Sequence, residues 1–412
     1  GIGWVSESSA STDGTKVFLP PLVDRFHNKS ENFGLFKVVA THQVAHLEFG
    51  SFLFKYIQPS TQFKDMRPML DNKYEKGFEF ETQIAENSKS EAPWATDLQR
   101  FFDIFEDRRL ALDIFTVVED GRLDTRVKNE YPGINLAYKR VQNDSLHNRP
   151  DINTLPAREA LMEFLIRISL QIHEGLSAPK QYVEDAQMAA RIALRAVKFG
   201  STVEDAAEAT LRIYPIIAGI PNTEVPTEDW DDVNIDANQE EPGIGDRDQE
   251  LLQKLIEGMR SDENIGEEFE YSPNQEVDYR GNFKPELVQL LEKLRIRSEQ
   301  ADQDPSAEEV TQEMLEGWLE NSAELDIDTS SNVSPGSLVN NMLKEVGIEL
   351  PKTTDPSQGP SAHVEEKGGS LETEEPSTFV YDEWDFRAND YKPRWCVVRQ
   401  KIMEEGDSSY YG

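Results

Sequence analysis

The stretch ENFGLFKVVATHQVAHLEFGSF, Glu31 to Phe52, decides how the chain is read. Its apolar residues recur at helical spacing, so the pattern predicts a helix from about Asn32 to Phe54. Ser30 and Asn32 are the N-cap candidates, because their side chains can accept a hydrogen bond from the first free amide groups. Inside this helix His42 and His46 stand four residues apart. Such residues lie on one face, about 40° apart around the axis, so both imidazoles can reach one ion. With Glu in place of Gln43 the stretch would read H-E-x-x-H, the zinc-peptidase motif.

A zinc ion held by two histidines needs a further protein ligand. The candidate is Glu119 in DIFTVVEDGRLDTRV, which follows the apolar run Ile114, Phe115, Val117 and Val118 on a second predicted helix. Asp120 and Asp124 are further carboxylates there, and Arg122 can orient one of them. Gln43 lacks the basicity of the glutamate that activates water in H-E-x-x-H sites, but its amide can hydrogen-bond a bound water. Glu48, six residues after His42, points to another side of the helix and is no substitute. The spacing therefore supports a zinc site without peptidase activity. It equally supports two helix histidines whose ring N–H groups meet carboxylates.

Apolar periodicity continues outward from this pair. A helical region spans about Asp97 to Tyr131, with a break near Glu106 and Asp107, and ends at Pro132–Gly133. Further helices are predicted after Pro156, in YVEDAQMAARIALRAVKFG and in TVEDAAEATLRIYP, the last stopped by Pro215. Strand-like alternation is scarce, so residues 1–222 read as a mainly α, multi-helix domain. From Glu224 to Glu250 eleven acids face one base, Arg247. Residues 223–378 read as an acidic, largely disordered linker with short helices at DQELLQKLIEGMR, KPELVQLLEKLRIRSEQ and SAEEVTQEMLEGWLENS. PKTTDPSQGPSAHVEEKGGSLETEEPS is the most polar part of it. Trp230 in EDWDD is either a docking motif or an exposed aromatic of that linker. Order is expected again over residues 379–412, where Phe379, Tyr381, Trp384, Phe386, Tyr391 and Trp395 supply much apolar area.

Composition narrows the function. The chain has 412 residues and a net charge of −36, which repels nucleic acid and anionic membranes and suits basic partners or cations. Cys396 is the single cysteine, so no intrachain disulfide can form, and it reads as a buried structural thiol. No signal peptide and no membrane-length apolar run is visible, and a cytoplasmic protein is expected. His173, at a helix end, reads as a capping residue. No phosphate loop, G-x-G-x-x-G turn or serine nucleophile elbow is present, so ATP hydrolysis would belong to another protein.

Four blocks in order carry a resemblance: FLPPLVDRF with ENFGLFKVVATHQVAHLEFGSF, FFDIFEDRRLALDIFTVVEDGRLDTRVKNEYPGI, RPDINTLPAREALMEFLIRISL, and YDEWDFRANDYKPRWCVVRQKIMEEGD. Together the chain resembles NorD/CbbO-type proteins over most of residues 17–215 and 379–407. In that family these blocks precede a von Willebrand factor A (VWA) domain. The resemblance implies an accessory protein that works with a MoxR-type AAA+ ATPase to activate or remodel a target enzyme, nitric oxide reductase in one branch and rubisco in another. A VWA domain grips its partner through the metal-binding sequence D-x-S-x-S. The nearest match, Asp328-Thr-Ser330-Ser-Asn332, has Asn in place of the last Ser and no apolar strand before it. The segment 379–412 is thus expected to lead toward a VWA domain that is not in this sequence, lying either beyond Gly412 or absent.

Overall fold

A computed structural model describes residues 10–70, 96–172, 175–235, 244–258, 269–303, 322, 378–385 and 390–399. The described chain is mostly helical, as the periodicity predicts. Helix α1 spans Lys29–Glu48, earlier at both ends than expected. Its N-cap is Asn28, whose side chain accepts from the Glu31 amide, and not Ser30 or Asn32. It ends because Gly50 adopts φ +74°, the left-handed turn that terminates many helices. That reversal starts a short 3-10 turn, Ser51–Leu53, and carries Ser51 back beneath the end of α1.

Helices α2 (Asp97–Phe102) and α3 (Arg108–Glu130) replace the single region expected over 97–131, and Asp107 caps α3 where the break was predicted. Helix α4 (Asn135–His147) packs beside α1; α5 (Ala157–Ser169), α6 (Val183–Ala196) and α7 (Val203–Ala218) complete the body. Helix α7 opens with a capping box between Thr202 and Asp205. It runs through Pro215 and does not stop there. The proline costs roughly 3 kcal/mol in a helix interior. Tyr214, Ile216 and Ile217, on either side of it, are buried, which favours keeping the helix intact. At Gly121, the Cβ of any larger residue would lie 3.2 Å from Ser169 Cβ, which shows how closely α3 approaches the end of α5.

Several parts of the expected linker are folded. Trp230–Val233 forms strand β4, antiparallel to β3 (Leu176–Pro179), and Trp230 packs on the small cluster around Phe164 and Val233. Trp230 is therefore a core contact and not a free docking motif. Helix α8 (Ile244–Gly258) lies on α7, and Asp248 binds the buried Arg212 through both carboxylate oxygens at 2.8 and 2.9 Å. Residues 269–284 form a strap with Val277, Tyr279 and Arg280 buried, continuing into α9 (Pro285–Gln303). The strap is held both by core packing of Val277, Tyr279 and Phe283 and by hydrogen bonds. Asn282 N–H donates to the Ala10 carbonyl at 2.8 Å, beside the small ladder of β1 (Ser11–Thr12) and β2 (Val17–Phe18). Gly281, at φ +66°, passes so close that a Cβ there would sit 2.3 Å from the Ala10 carbonyl oxygen.

Residues 352–412 make a separate unit. Its described part is a hairpin of β5 (Thr378–Asp385) and β6 (Asp390–Arg399), with Tyr381 opposite Cys396 and Trp384 opposite Tyr391. His173, the stretch 351–377 and the D-x-S-x-S-like residues Asp328 to Asn332 lie outside the described residues. Among the described residues no helix is long and apolar enough to cross a membrane.

Candidate metal centre

His42 and His46 are fully buried on α1 and face α3. Their rings meet edge to face with centroids 5.1 Å apart. The carboxylate between them is Asp120, whose Oδ1 lies 3.4 Å from His42 Nε2 and 3.8 Å from His46 Nε2. These three ligand atoms all fall within 4.8 Å of one another. Each of them is buried and has no hydrogen-bond partner outside the group. Buried polar atoms are ordinarily satisfied, so three that face only one another are unusual. Two ligands of a tetrahedral zinc ion stand about 3.3 Å apart, close to the shortest spacing here. The group could hold a metal ion.

The sequence pointed to Glu119 as the third ligand, but the fold brings Asp120 to that position. On α3 the two neighbours are separated by one helical step, which turns their side chains in different directions. Glu119 instead accepts from Arg122 Nε at 2.7 Å and Nη2 at 2.5 Å, and from Ser51 Oγ at 2.5 Å. Arg122 orients a carboxylate, as expected, and that carboxylate is Glu119. Arg122 also donates to the carbonyls of Phe49 and Ser201.

Each imidazole is fixed through its other nitrogen. His42 Nδ1 lies 2.9 Å from Asp124 Oδ1. Asp124 also accepts from Tyr279 Oη, from Arg280 Nη2 at 2.8 Å and from Gln142 Nε2 at 3.3 Å. Burial raises the Asp124 carboxyl, yet Arg280, His42 and Tyr279 hold it well below the usual carboxylate range. An ionised carboxylate only accepts, so Nδ1 carries a proton, and in the neutral ring Nε2 keeps its lone pair toward Asp120. His46 Nδ1 lies 3.1 Å from Ser51 Oγ. Ser51 donates its own proton to Glu119, so it accepts from His46 and again leaves Nε2 free. Carboxylates behind the histidines are the arrangement that sets tautomer and basicity in metal sites. Glu119 thus acts on the site one bond away, through Ser51.

Without an ion the two imidazoles diverge. Burial pushes His42 down, but Asp120 and Asp124 override it and lift the ring to about 9. For His46 burial comes first and the charge on His42 second, and together they lower it to about 3. A proton on His42 then occupies the space where an ion would sit.

Gln43 is turned away from this space. Its Nε2 donates to the Arg280 carbonyl at 2.5 Å, and its Oε1 is buried without a partner. Glu48 is on the surface, where its carboxylate accepts from Tyr131 Oη at 2.5 Å. The strap supplies the residues that sequence reading missed: Tyr279 and Arg280 on Asp124, and Phe283 stacked on His46 with centroids 4.3 Å apart. The signal for them was DYRGNF, an aromatic–Arg–Gly cluster within a polar stretch. No family model, curated protein or solved structure matches this chain.

Proposed function

We propose that this chain is the helical body of an accessory protein that works with a MoxR-type AAA+ ATPase, built around a zinc site that does not hydrolyse peptides. The metal half rests on one observation: three buried ligand atoms, His42 Nε2, His46 Nε2 and Asp120 Oδ1, face one another with no partner outside the group. Two imidazoles and a carboxylate suit zinc among the common divalent ions. A zinc ion bound there would polarise an oxygen ligand in its fourth position. What this chain's own residues do is hold and orient. Asp124 and the Ser51–Glu119 pair fix the two rings, and Arg280 and Phe283 close the strap over them. Peptidase chemistry lacks a base on α1, because Gln43 is an amide engaged with a backbone carbonyl.

The adaptor half rests on the four ordered sequence blocks of the NorD/CbbO-type family. Its target would be an enzyme of the nitric oxide reductase or rubisco kind. Two measurements test the two halves. Elemental analysis of the purified full chain should find about one zinc per chain, lost in His42→Ala and Asp120→Asn. Unchanged zinc content in both variants would refute the site. Mixing the chain with a MoxR-type ATPase should produce co-elution and faster ATP hydrolysis. An unaltered hydrolysis rate without co-elution would refute the adaptor role.

A further inference from the structure

Asp120 faces two spaces. Besides the histidine pair, it lines a cavity of about 210 Å³ between α3 and the strap. Arg280 and Phe283 line the same cavity while touching the centre, Arg280 Nε at 4.0 Å from Asp120 Oδ2 and Phe283 stacked on His46. Zinc takes four ligands, and among the described residues the group supplies three. Sites with three protein ligands keep the fourth position for water or an exogenous donor. We infer that the cavity is a binding site for a small carboxylate-bearing molecule whose oxygen completes the coordination of the ion held by His42, His46 and Asp120. This rests on the metal reading above.

The ligand class follows from charge and size. Three bases, Arg109, Arg280 and Lys284, line the cavity, against the acids Asp113, Glu276 and Asp120. A bound divalent ion takes up the charge of Asp120, so the balance there turns positive within a chain of net charge −36. Asp113 is already engaged, accepting from Tyr271 Oη at 2.8 Å and lying 3.4 Å from Arg109 Nε. Lys284 lines the same cavity, where its charge acts on Glu276. The volume admits a small organic acid and excludes a folded partner. Apolar walls from Leu112, Val117 and Phe283 complete a pocket that is mixed and not purely ionic.

The test uses the full chain with cobalt in place of zinc, because the visible bands of cobalt report its coordination. Acetohydroxamate, a small oxygen-donor anion, serves as probe, with acetate as the plain carboxylate. Saturable band changes are expected with both probes in the parent chain. Thr116→Phe, which fills the cavity from α3, should weaken the response at least tenfold, and Lys284→Gln several-fold, with cobalt bands of the probe-free variants unchanged. Cobalt bands that ignore both probes would overturn the ligand site and leave the metal reading standing. Equal responses in the parent and both variants would also overturn it, since the probe would then enter elsewhere. Failure of the chain to take up cobalt at all would remove the metal reading, and this inference with it.

Discussion

His42 Nδ1 and Asp124 Oδ1 lie 2.9 Å apart, both fully buried, and join α1 to α3 at the centre of the body. Asp124 is also the acceptor for Tyr279 and Arg280, so one carboxylate fixes the first histidine and anchors the strap. Asp124→Ala leaves the buried Arg280 guanidinium with only the 4.0 Å contact to Asp120 as a charge partner, and loss of one partner costs about 3–5 kcal/mol in other buried pairs. Asp124→Asn retains hydrogen-bonding capacity and should cost less. Urea unfolding of the two variants measures this. Equal, small losses would show that the carboxylate carries little.

Asp120 and Glu119 are neighbours with different duties, and metal affinity separates them. Asp120→Asn removes a ligand and should abolish stoichiometric zinc binding. Glu119→Gln acts only through Ser51 and should weaken binding by about 10–100-fold, the range for groups behind a ligand. Competition with a chromogenic chelator gives both values. A larger loss in Glu119→Gln than in Asp120→Asn would reverse the assignment.

The two histidines together stabilise the metal-free chain most near pH 6.5. His42 is raised from 6.5 to about 9, so the folded state binds the extra proton. That contribution, on the order of 3 kcal/mol, is full below pH 6.5 and is lost as pH rises through 9. His46 is lowered to about 3, so the folded state binds fewer protons than the unfolded chain between 3 and 6.5. Stability therefore also falls as pH drops through that window. Zinc displaces the His42 proton, so affinity for zinc should rise with pH up to about 9. Urea midpoints at several pH values, after chelation and after zinc addition, report both effects. A flat profile for the metal-free chain would contradict the assignment.

Restoring the peptidase sequence should not restore a peptidase. Gln43 Nε2 donates to the Arg280 carbonyl, and a glutamate would set an acceptor against an acceptor there. Gln43→Glu is expected to destabilise the chain by about 1–3 kcal/mol, the cost of an unsatisfied buried group. No chelator-sensitive cleavage of casein should appear. A gain of such cleavage would show that this side chain can swing to the ion.

The helices were legible in the sequence because each carries its own period. Helices α1, α3, α5, α6 and α7 lie where the apolar spacing and the punctuation by Gly and Pro put them, within a few residues at most ends. The histidine pair was legible for the same reason, since four residues along a helix fixes a shared face whatever surrounds it. Which carboxylate meets that face was not. Glu119 and Asp120 differ by one helical step, and only the rotation of α3 against α1 selects between them. The strap was invisible because its hold is long-range: Tyr279, Arg280 and Phe283 lie over 150 residues from Asp124 and over 230 from His46. Trp230 and Asp248 read as linker for a similar reason, as their partners on β3 and α7 are remote in the chain. Local periodicity reports what one segment buries; the partner of a buried charge is set by how segments cross, and that is decided only when the whole body packs.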